Sequence, residues 1–282
     1  MRNLFDNHNH CQFSFDGQNT SIEKSSRSAF EKGLGGLCFT DHNDIYVPDE
    51  TMAMNSHASD RLDIKVQQAE IDRVQEMFPQ IKILKGIEVG MHPKCRKDIQ
   101  ELVGANEFDQ VIASVHYVGE TDPYFGGYYK GRTWQEAYGG YLETISNEIR
   151  GTVDFDIVGH YDYIVRYCDY EQVDLLYKDF SDIFDEIFRY LIENGKALEI
   201  NTKSYQNFNG RQASLDKNIL LRYREMGGEI ISFGSDSHFL EHVGLEFEKY
   251  AAIVKSLGFK EACTASSLNQ ISIHRIFLSL PQ

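Results

Sequence analysis

Short apolar segments that each end in metal-ligand residue types recur along this chain, and this pattern restricts its fold more than any other feature. The first is His8-Asn9-His10, which ends a short apolar run near the amino terminus. Further copies of the arrangement are Thr40-Asp41-His42, Gly86-Ile87-Glu88, Ser114-Val115-His116, Gly159-His160 and Ser235-Asp236-Ser237-His238. In a βα barrel the carboxyl ends of the strands converge on one face, where loops build the active site. The pattern therefore predicts one metal centre assembled from residues that are far apart in sequence.

Alternating strand and helix signals support a barrel. Strands that alternate with helices imply a largely parallel sheet, and the apolar segments predict about seven strands. The predicted strands are Leu4-Phe5, 35–40, 81–89, 110–115, 155–158, 197–201 and 229–233. The predicted helices are 21–32, 61–78, 134–150, 180–193, 215–226 and 245–257. A long loop rich in Gly and Tyr, 118–132, has the character of a lid or a substrate wall over a barrel mouth.

Composition narrows the class of protein. A chain of 282 residues with 5 prolines and no Ser- or Gly-rich linker is expected to form a single domain over residues 1–282. Its formal charge of -15 argues against a long nucleic acid as a partner, because nucleic-acid binders carry a basic surface. No apolar stretch approaches the roughly 18 residues of a membrane helix, so no membrane partner is expected.

The first residues and the cysteines of the chain bear on its cellular compartment. The first residues contain no apolar segment of a secretory signal. The 5 cysteines are widely spaced, form no CxxC pair and suggest no disulfide framework. We therefore expect a cytoplasmic location.

The residue types in the recurring motifs suit transition metals. Residues i and i+2 of a strand point to the same side, so His8 and His10 can bind one ion together, as can Asp236 and His238. A carboxylate such as Glu88 can bridge two cations through its two oxygens. Paired metals lower the pKa of a bound water and clamp the oxygens of a phosphoryl group. Imidazole mixed with carboxylate favours zinc, iron or manganese over calcium.

Each motif alone also has an ordinary explanation. A lone His-x-His is often a pair of surface or core histidines, and Thr40-Asp41-His42 could begin a helix, because Thr and Asp favour helix caps. Glu88 could be a solvated strand end. The joint occurrence of the motifs at the same end of successive strands favours the metal site. The remaining histidines are interpreted as structural or surface residues: His57, His92, His242 and His274.

As a set, the six motifs resemble the PHP (polymerase and histidinol phosphatase) superfamily. The resemblance covers nearly the whole chain, and Gly234 before the last motif is part of it. It implies a distorted (β/α)7 barrel, two or three divalent zinc, iron or manganese ions, and hydrolysis of phosphoesters. The implied barrel agrees with the strand count reached from the apolar segments.

Within the superfamily, the chain most resembles the stand-alone histidinol-phosphate phosphatases. The stretches that carry this resemblance are 113–118, 155–162 with Arg166-Tyr167, and 198–202. The resemblance implies hydrolysis of L-histidinol phosphate to L-histidinol and phosphate, a step of histidine biosynthesis, by a metal-activated hydroxide. The partner would be a small phosphorylated substrate.

The resemblance also implies a set of ligands. The first metal would bind to His8, His10, Glu88 and Asp236, the second to Glu88, His116 and His160, and the third to Asp16, His42 and His238. Glu88 would bridge the first two ions, and catalysis would depend on Glu88, Asp236 and His238. Asp16 is the weakest assignment, because Asp16-Gly17 could simply form a turn.

Several charged residues are candidates for substrate binding. Arg166 is the first candidate for a phosphate clamp, because a guanidinium matches phosphate in a bidentate manner. Lys203 and Arg211 are weaker candidates, and each could be an exposed solubilising charge. Histidinol phosphate carries an ammonium and an imidazole, which Asp162 or the aromatic loop 124–129 would suit.

Alternative functions remain open from the sequence. A nuclease or nucleotidase of the same superfamily would need a basic track or a stacking groove, which the acidic balance does not favour. A protein-tyrosine phosphatase of the superfamily is a further alternative. A non-catalytic scaffold would be expected to have lost ligands, and the motifs retain them.

Overall fold

A parallel sheet lies at the centre of the molecule, in a computed structural model that describes residues 4–48, 62–151, 153–262 and 278–279. Seven strands follow one another in the order β1-β2-β4-β5-β6-β7-β8, and the short β3 pairs with β4. The strands are β1 (Phe5–Asn9), β2 (Gly36–Phe39), β3 (His42–Asn43), β4 (Lys82–Gly90), β5 (Gln110–Ser114), β6 (Ile157–Val158), β7 (Ala197–Asn201) and β8 (Ile231–Gly234). The seven predicted strands are thus confirmed, and β3 is additional.

Contacts between the first and last strands bring the sheet close to a closed barrel. The Asp236 amide donates to the His8 carbonyl at 2.8 Å, and the His10 amide donates to the Ser237 carbonyl at 3.0 Å. These bonds place the residues that follow β8 beside the carboxyl end of β1. The architecture is the predicted distorted (β/α)7 barrel.

Helices alternate with the strands as predicted. They are α1 (Ile22–Glu31), α2 (Ile64–Met77), α3 (Arg96–Gly104), α4 (Trp134–Glu148), α5 (Ser181–Glu193), α6 (Lys217–Glu225) and α7 (Phe247–Ser256). The sequence did not predict α3, which buries Ile99 and Val103 and has no side-chain hydrogen bond at its amino-terminal cap, Cys95. With so few apolar positions and no capping signal, its periodicity is weak. By contrast, Thr133 and Glu136 form a reciprocal capping box that begins α4.

The apolar faces of the helices pack around the barrel. Helix α5 buries Phe184, Ile187, Phe188 and Leu191, at the spacing of one helical face. Phe188 is fully buried, so its replacement by alanine would cost about 3–5 kcal/mol of folding free energy. This packing holds the strands in place, and with them the residues at their carboxyl ends.

A short two-stranded sheet and a structured loop lie outside the barrel sheet. Two short strands, β9 (Glu261–Ala262) and β10 (Leu278–Ser279), pair antiparallel. The long loop after β5 contains two 3₁₀ turns, Pro123–Phe125 and Gly127–Tyr129. Among the helices of the described ranges, none has both the length and the apolarity needed to cross a membrane.

Candidate metal centre

The predicted ligands meet at one end of the barrel. His8 and Glu88 lie on β1 and β4, His42 begins β3, and the others follow the carboxyl ends of strands or lie in the β1–α1 loop. The donor atoms form four groups, each within 4.8 Å: His10, Asp16, His42 and His238; His8, His10 and Asp236; His8, Glu88 and His160; His42, Glu88 and His116. All nine predicted residues are therefore brought together.

Glu88 lies at the centre of this cluster. Its Oε2 atom is 3.2 Å from His8 Nε2 and 2.8 Å from His42 Nδ1, while its Oε1 atom is 3.3 Å from His116 Nε2 and 2.9 Å from His160 Nε2. The two oxygens thus face different pairs of imidazoles. Burial alone would raise the pKa of this carboxyl, but the imidazoles of His8, His42 and His116 hold it well below its usual range. An ionised carboxylate in this position has the arrangement that a bridging ligand needs.

Asp236 contacts two cationic side chains as well as a histidine of the cluster. Arg166 Nη1 lies 2.7 Å from Oδ2, and Lys203 Nζ lies 3.0 Å from Oδ1, which is 3.4 Å from His10 Nε2. Although burial opposes ionisation, Lys203 and Arg166 hold the pKa of Asp236 well below its usual range. Asp236 has a φ of 50°, a left-handed conformation that aspartate and asparagine tolerate better than most residues.

The cluster has an inner and an outer part. The inner group, defined as His8, Glu88 and His160, has side chains that are 0–2 % exposed. The outer group is defined as Asp16, His42 and His238. Its Asp16 Oδ2 atom lies 2.8 Å from His238 Nε2 and 3.5 Å from His42 Nε2. The Asp16 side chain is 36 % exposed. His10 connects the two parts, with its ring stacked 4.1 Å from that of His42.

Buried polar atoms of the inner group fit metal ligation. His8 Nε2, Glu88 Oε2 and the Nε2 atom of the connecting His10 are buried and make no hydrogen bond, and Glu88 Oε2 lies 3.2 Å from His8 Nε2 and 3.5 Å from His10 Nε2. Buried polar atoms are rarely left in this state unless an ion or water satisfies them. Burial also lowers the pKa of His10 and of His160, which favours the neutral imidazole that binds metal. In the metal-free protein the carboxylates around them raise the pKa of His8, His42 and His116 in spite of burial. The donor set thus fits divalent zinc, iron or manganese.

Glu199, on β7, supports the inner group and was missed by the sequence analysis. Its Oε1 atom lies 2.7 Å from His8 Nδ1, and its Oε2 atom accepts a hydrogen bond from the His160 amide at 2.5 Å. Gly234 provides the room, because a Cβ atom there would lie 2.1 Å from Glu199 Oε1. Such a carboxylate fixes the tautomer of His8 and directs Nε2 towards the cluster. A charged residue inside an otherwise apolar strand was the available signal.

Asp44 and Ser114 are two further supports that the sequence analysis missed. Asp44 Oδ1 lies 2.9 Å from His116 Nδ1, which leaves His116 Nε2 to face Glu88. The Ser114 hydroxyl donates to Glu88 Oε1 at 2.6 Å. Both residues are next to predicted motifs, but nothing in the sequence shows which atoms they contact.

A cavity of about 870 Å³ opens from the cluster and contains part of the predicted substrate-binding set. Arg166 and Lys203 line it, and Arg166 Nη2 is buried without a hydrogen bond. Asp162 lies outside this lining and accepts a hydrogen bond from Ser204, which in turn accepts one from Arg166 Nε. Arg211 also lies outside and donates to the Cys168 carbonyl at 3.4 Å. The positions of Asp162 and Arg211 favour supporting roles over direct contact with substrate.

The other histidines fall into different surroundings. His242 lines the cavity but belongs to none of the four donor groups. His92 packs against Tyr46, with ring centroids 4.0 Å apart, and fits that interpretation. His57 and His274 lie outside the described residues.

A parallel barrel with this cluster at the carboxyl ends of its strands defines a polynuclear metal-binding protein. The family model described as PHP domain matches residues 6–203. The chain therefore belongs to the PHP family.

Known members of the family resemble the chain over almost its whole length. It is 31% identical over 265 residues to the histidinol-phosphatase of Lactococcus lactis subsp. lactis, covering 93% of this chain and 94% of that protein. The crystal structure of histidinol phosphate phosphatase from Lactococcus lactis, in complex with zinc, L-histidinol and phosphate, superimposes with a TM-score of 0.83 at 30% identity. That match covers 94% of this chain and 97% of the other.

Proposed function

We propose that this protein is a metal-dependent phosphomonoesterase that hydrolyses L-histidinol phosphate to L-histidinol and phosphate. The observation that carries the proposal is a cavity whose lining combines six of the nine metal-type ligands with two cationic side chains, Arg166 and Lys203. The similarity to a histidinol-phosphatase over 93% of the chain supports the choice of substrate.

The proposed ligands are the nine residues of the cluster, with Glu88 positioned to contact two ions. Bound divalent ions would supply an acidified water and would stabilise negative charge on the phosphate oxygens. The residues of the chain prepare the site for this chemistry. Glu199 and Asp44 orient His8 and His116, and Glu88 stays ionised at neutral pH.

Arg166 is the proposed phosphate clamp. Asp236 and Ser204 hold its Nη1 and Nε atoms at 2.7 and 3.0 Å, so the planar group is fixed before substrate arrives. The buried Nη2 atom has no hydrogen bond and remains for a phosphate oxygen. Lys203 adds a second positive charge beside Asp236. We propose that Asp236 and His238 act in catalysis with Glu88, because both line the same cavity as these cations.

Two further expectations stay proposals. We propose a single domain over residues 1–282, supported by one barrel sheet that runs from β1 to β8. We also propose a cytoplasmic location, which is consistent with the free, buried thiols of Cys11, Cys38, Cys95 and Cys168.

Phosphate release from the metal-supplemented protein tests the proposed function. L-histidinol phosphate is compared with p-nitrophenyl phosphate, a short oligonucleotide and a phosphotyrosine peptide. We expect kcat/KM for L-histidinol phosphate to exceed the others by about a hundredfold or more, because a site built for polar groups rejects substrates that lack them. A higher value for the oligonucleotide or the peptide would instead assign the site to a nuclease or a protein-tyrosine phosphatase.

A further inference from the structure

A fully buried carboxylate, Asp41, belongs to one of the predicted motifs but is no proposed metal ligand. Its Oδ1 atom accepts a hydrogen bond from the Cys11 amide at 2.6 Å. Its Oδ2 atom accepts from the Cys11 thiol at 2.9 Å and from Gln67 Nε2, on α2, at 2.6 Å. Asp41 therefore joins the residue that follows His10 to helix α2.

The hydrogen-bond donors that Asp41 has among the described residues are all neutral. They are a backbone amide, a thiol and a side-chain amide. The buried carboxylates Glu88 and Asp236 differ, because they face imidazoles or cationic side chains. Burial of a charge costs free energy that neutral donors recover only in part. A contribution to folding stability is therefore a weak explanation for a carboxylate at this place.

The loop between β1 and α1 leads from Cys11 to the proposed ligand Asp16 through two further bonds. The Ser14 amide donates to the Cys11 carbonyl at 2.9 Å, and the Ser14 hydroxyl donates to Asp16 Oδ1 at 2.8 Å. Gly17 packs closely on the same loop, since a Cβ atom there would lie 2.1 Å from the Cys11 carbonyl oxygen. In so compact a loop, a shift of Cys11 would also move Asp16.

Asp16 depends on its loop more than its two histidine partners do. His42 belongs to β3, and His238 follows a bridge between Ser237 and β1, so sheet pairing positions both histidines. Asp16 reaches them from the loop, with Oδ2 at 2.8 Å from His238 and 3.5 Å from His42. The first residue of that loop is held by Asp41.

We propose that Asp41 is a positioning residue of the metal centre, which fixes the loop 11–17 through Cys11 so that Asp16 can share an ion with His42 and His238. The proposal rests on the proposed function only for the assignment of these three ligands. It adds a residue that acts on the outer group through another side chain, and Gln67 anchors that residue to α2.

Zinc binding by the variant Asp41→Ala tests the proposal without an assay of activity. Competition with a chromogenic chelator measures the affinity for each zinc ion. We expect about tenfold weaker binding of the most weakly held ion, the lower end of the range for loss of a residue that orients a ligand. The affinities for the other ions should stay within about threefold of the wild type.

The conservative variant Asp41→Asn should restore most of this affinity. Its side-chain oxygen can still accept from the Cys11 amide, and its Nδ2 atom can donate to Gln67 Oε1, which is buried without a hydrogen bond. We expect all zinc affinities within about threefold of the wild type. A loss as large as that of Asp41→Ala would contradict a role through hydrogen bonds to the loop.

A double-mutant cycle shows whether Asp41 acts through Asp16. Residues that act through one another have non-additive effects. In the background of Asp16→Asn, the change Asp41→Ala should therefore weaken zinc binding by less than about a further threefold. Unchanged zinc binding in Asp41→Ala, equal weakening of all the ions, or additive losses in the cycle would each overturn the proposal.

Asp156→Ala is the matched control for general damage to the fold. Asp156 also accepts a hydrogen bond from a backbone amide, that of Val111 at 2.8 Å, but it precedes β6 and so lies at the opposite end of the strands. Urea titrations should show lower stability for Asp156→Ala, while its zinc affinities stay at the wild-type values. Weaker zinc binding in this control would overturn the proposal.

Gln67→Met takes the place of Asp41→Ala if that variant does not fold. It removes one donor to Asp41 Oδ2, and we expect about three- to tenfold weaker binding of the most weakly held ion. Unchanged binding would overturn the proposal. Zinc binding as expected, without hydrolysis of L-histidinol phosphate, would contradict the proposed function alone.

Discussion

The inner and outer groups of the metal centre contain the same kinds of side chain but are held in different ways. His8 and Glu88 lie on strands, and Glu199 contacts both the His8 side chain and the His160 amide. Asp16 lies in a loop, where Ser14 donates to its Oδ1 atom at 2.8 Å and two histidines approach its Oδ2 atom. Sheet register thus determines the inner geometry, whereas local loop contacts position Asp16 in the outer group. We expect the inner group to be more sensitive to substitution.

The largest effect is expected for Glu88→Gln. Because Glu88 faces four imidazoles with its two oxygens, loss of its charge should reduce kcat/KM by about 10³-fold. The measurement is phosphate release at saturating metal, with metal content determined by elemental analysis and folding checked by circular dichroism. Activity within tenfold of the wild type would show that Glu88 is not central to the site.

Arg166→Lys should have the next largest effect. Lysine keeps the positive charge beside Asp236 but loses the planar group that also contacts Ser204. We expect kcat/KM to fall about 100-fold, a value within the range for loss of one preorganised donor. Arg211→Lys, at a residue outside the cavity lining, is the matched control. Unchanged efficiency in Arg166→Lys would remove the assignment of Arg166 as the phosphate clamp.

Glu199→Gln tests whether a residue that orients a proposed ligand affects metal affinity more than Asp16, the partly exposed proposed ligand, does. Loss of the carboxylate that orients His8 should weaken metal affinity about 10- to 100-fold. Competition with a chromogenic chelator measures this affinity without any assay of activity. The exposed Glu193, at the end of α5, provides the control Glu193→Gln. Equal affinity in Glu199→Gln and wild type would reduce Glu199 to a packing role.

Asp16→Asn should have a smaller effect than Glu199→Gln. Its side chain is 36 % exposed, so water can replace part of the lost interaction. We expect about a tenfold loss of affinity for the most weakly held ion and little change for the others. Elemental analysis after dialysis against increasing chelator concentrations resolves the ions. A loss of all metal in Asp16→Asn would contradict the distinction between the inner and outer groups.

A separate effect is expected on folding stability, through a buried carboxyl next to the inner group. Asp6, on β1, accepts hydrogen bonds from the Ser235 amide and hydroxyl, yet burial raises its pKa to about 6 from 3.8. The folded state therefore binds this proton more tightly, so the contribution of Asp6 to stability is most favourable below pH 4 and is lost as pH rises through 6. Relative to Asp6→Asn, the metal-free wild type should lose about 3 kcal/mol of unfolding free energy across this range.

Urea titrations of both metal-free proteins at pH 4 and pH 7 measure this difference. Comparison with the variant cancels the titration of the histidines, which are the same in both proteins. A difference that does not change with pH would show that Asp6 titrates normally in the folded protein.

The sequence predicted which side chains meet in the cluster because their position is a property of single strands. Each of His8, Glu88 and His160 could be placed at a strand end from the apolar run before it. The supports could not be assigned in this way, because Glu199 reaches His8 and His160 only when β1, β6 and β7 adopt their places in the barrel. Which donor atoms come within 4.8 Å of one another depends on side-chain directions, which the sequence does not show.

Loop residues were the hardest to predict for a related reason. The sequence indicated an aromatic loop over the barrel mouth, but it favoured Asp162 as the acidic residue there. Asp162 instead lies beneath Arg166, and Asp122 lies in the cavity. A turn of only three residues, 123–125, decides where Asp122 is placed, and no periodic pattern reports such a turn.

The close approach of Gly234 to Glu199 limits how this chain can evolve. The two positions share one volume, because a methyl group at residue 234 would occupy the space of the carboxylate at residue 199. The effect of a mutation at either position on fitness therefore depends on the residue at the other position. We therefore expect substitutions at these two positions, although they are distant in the gene, to be accepted together.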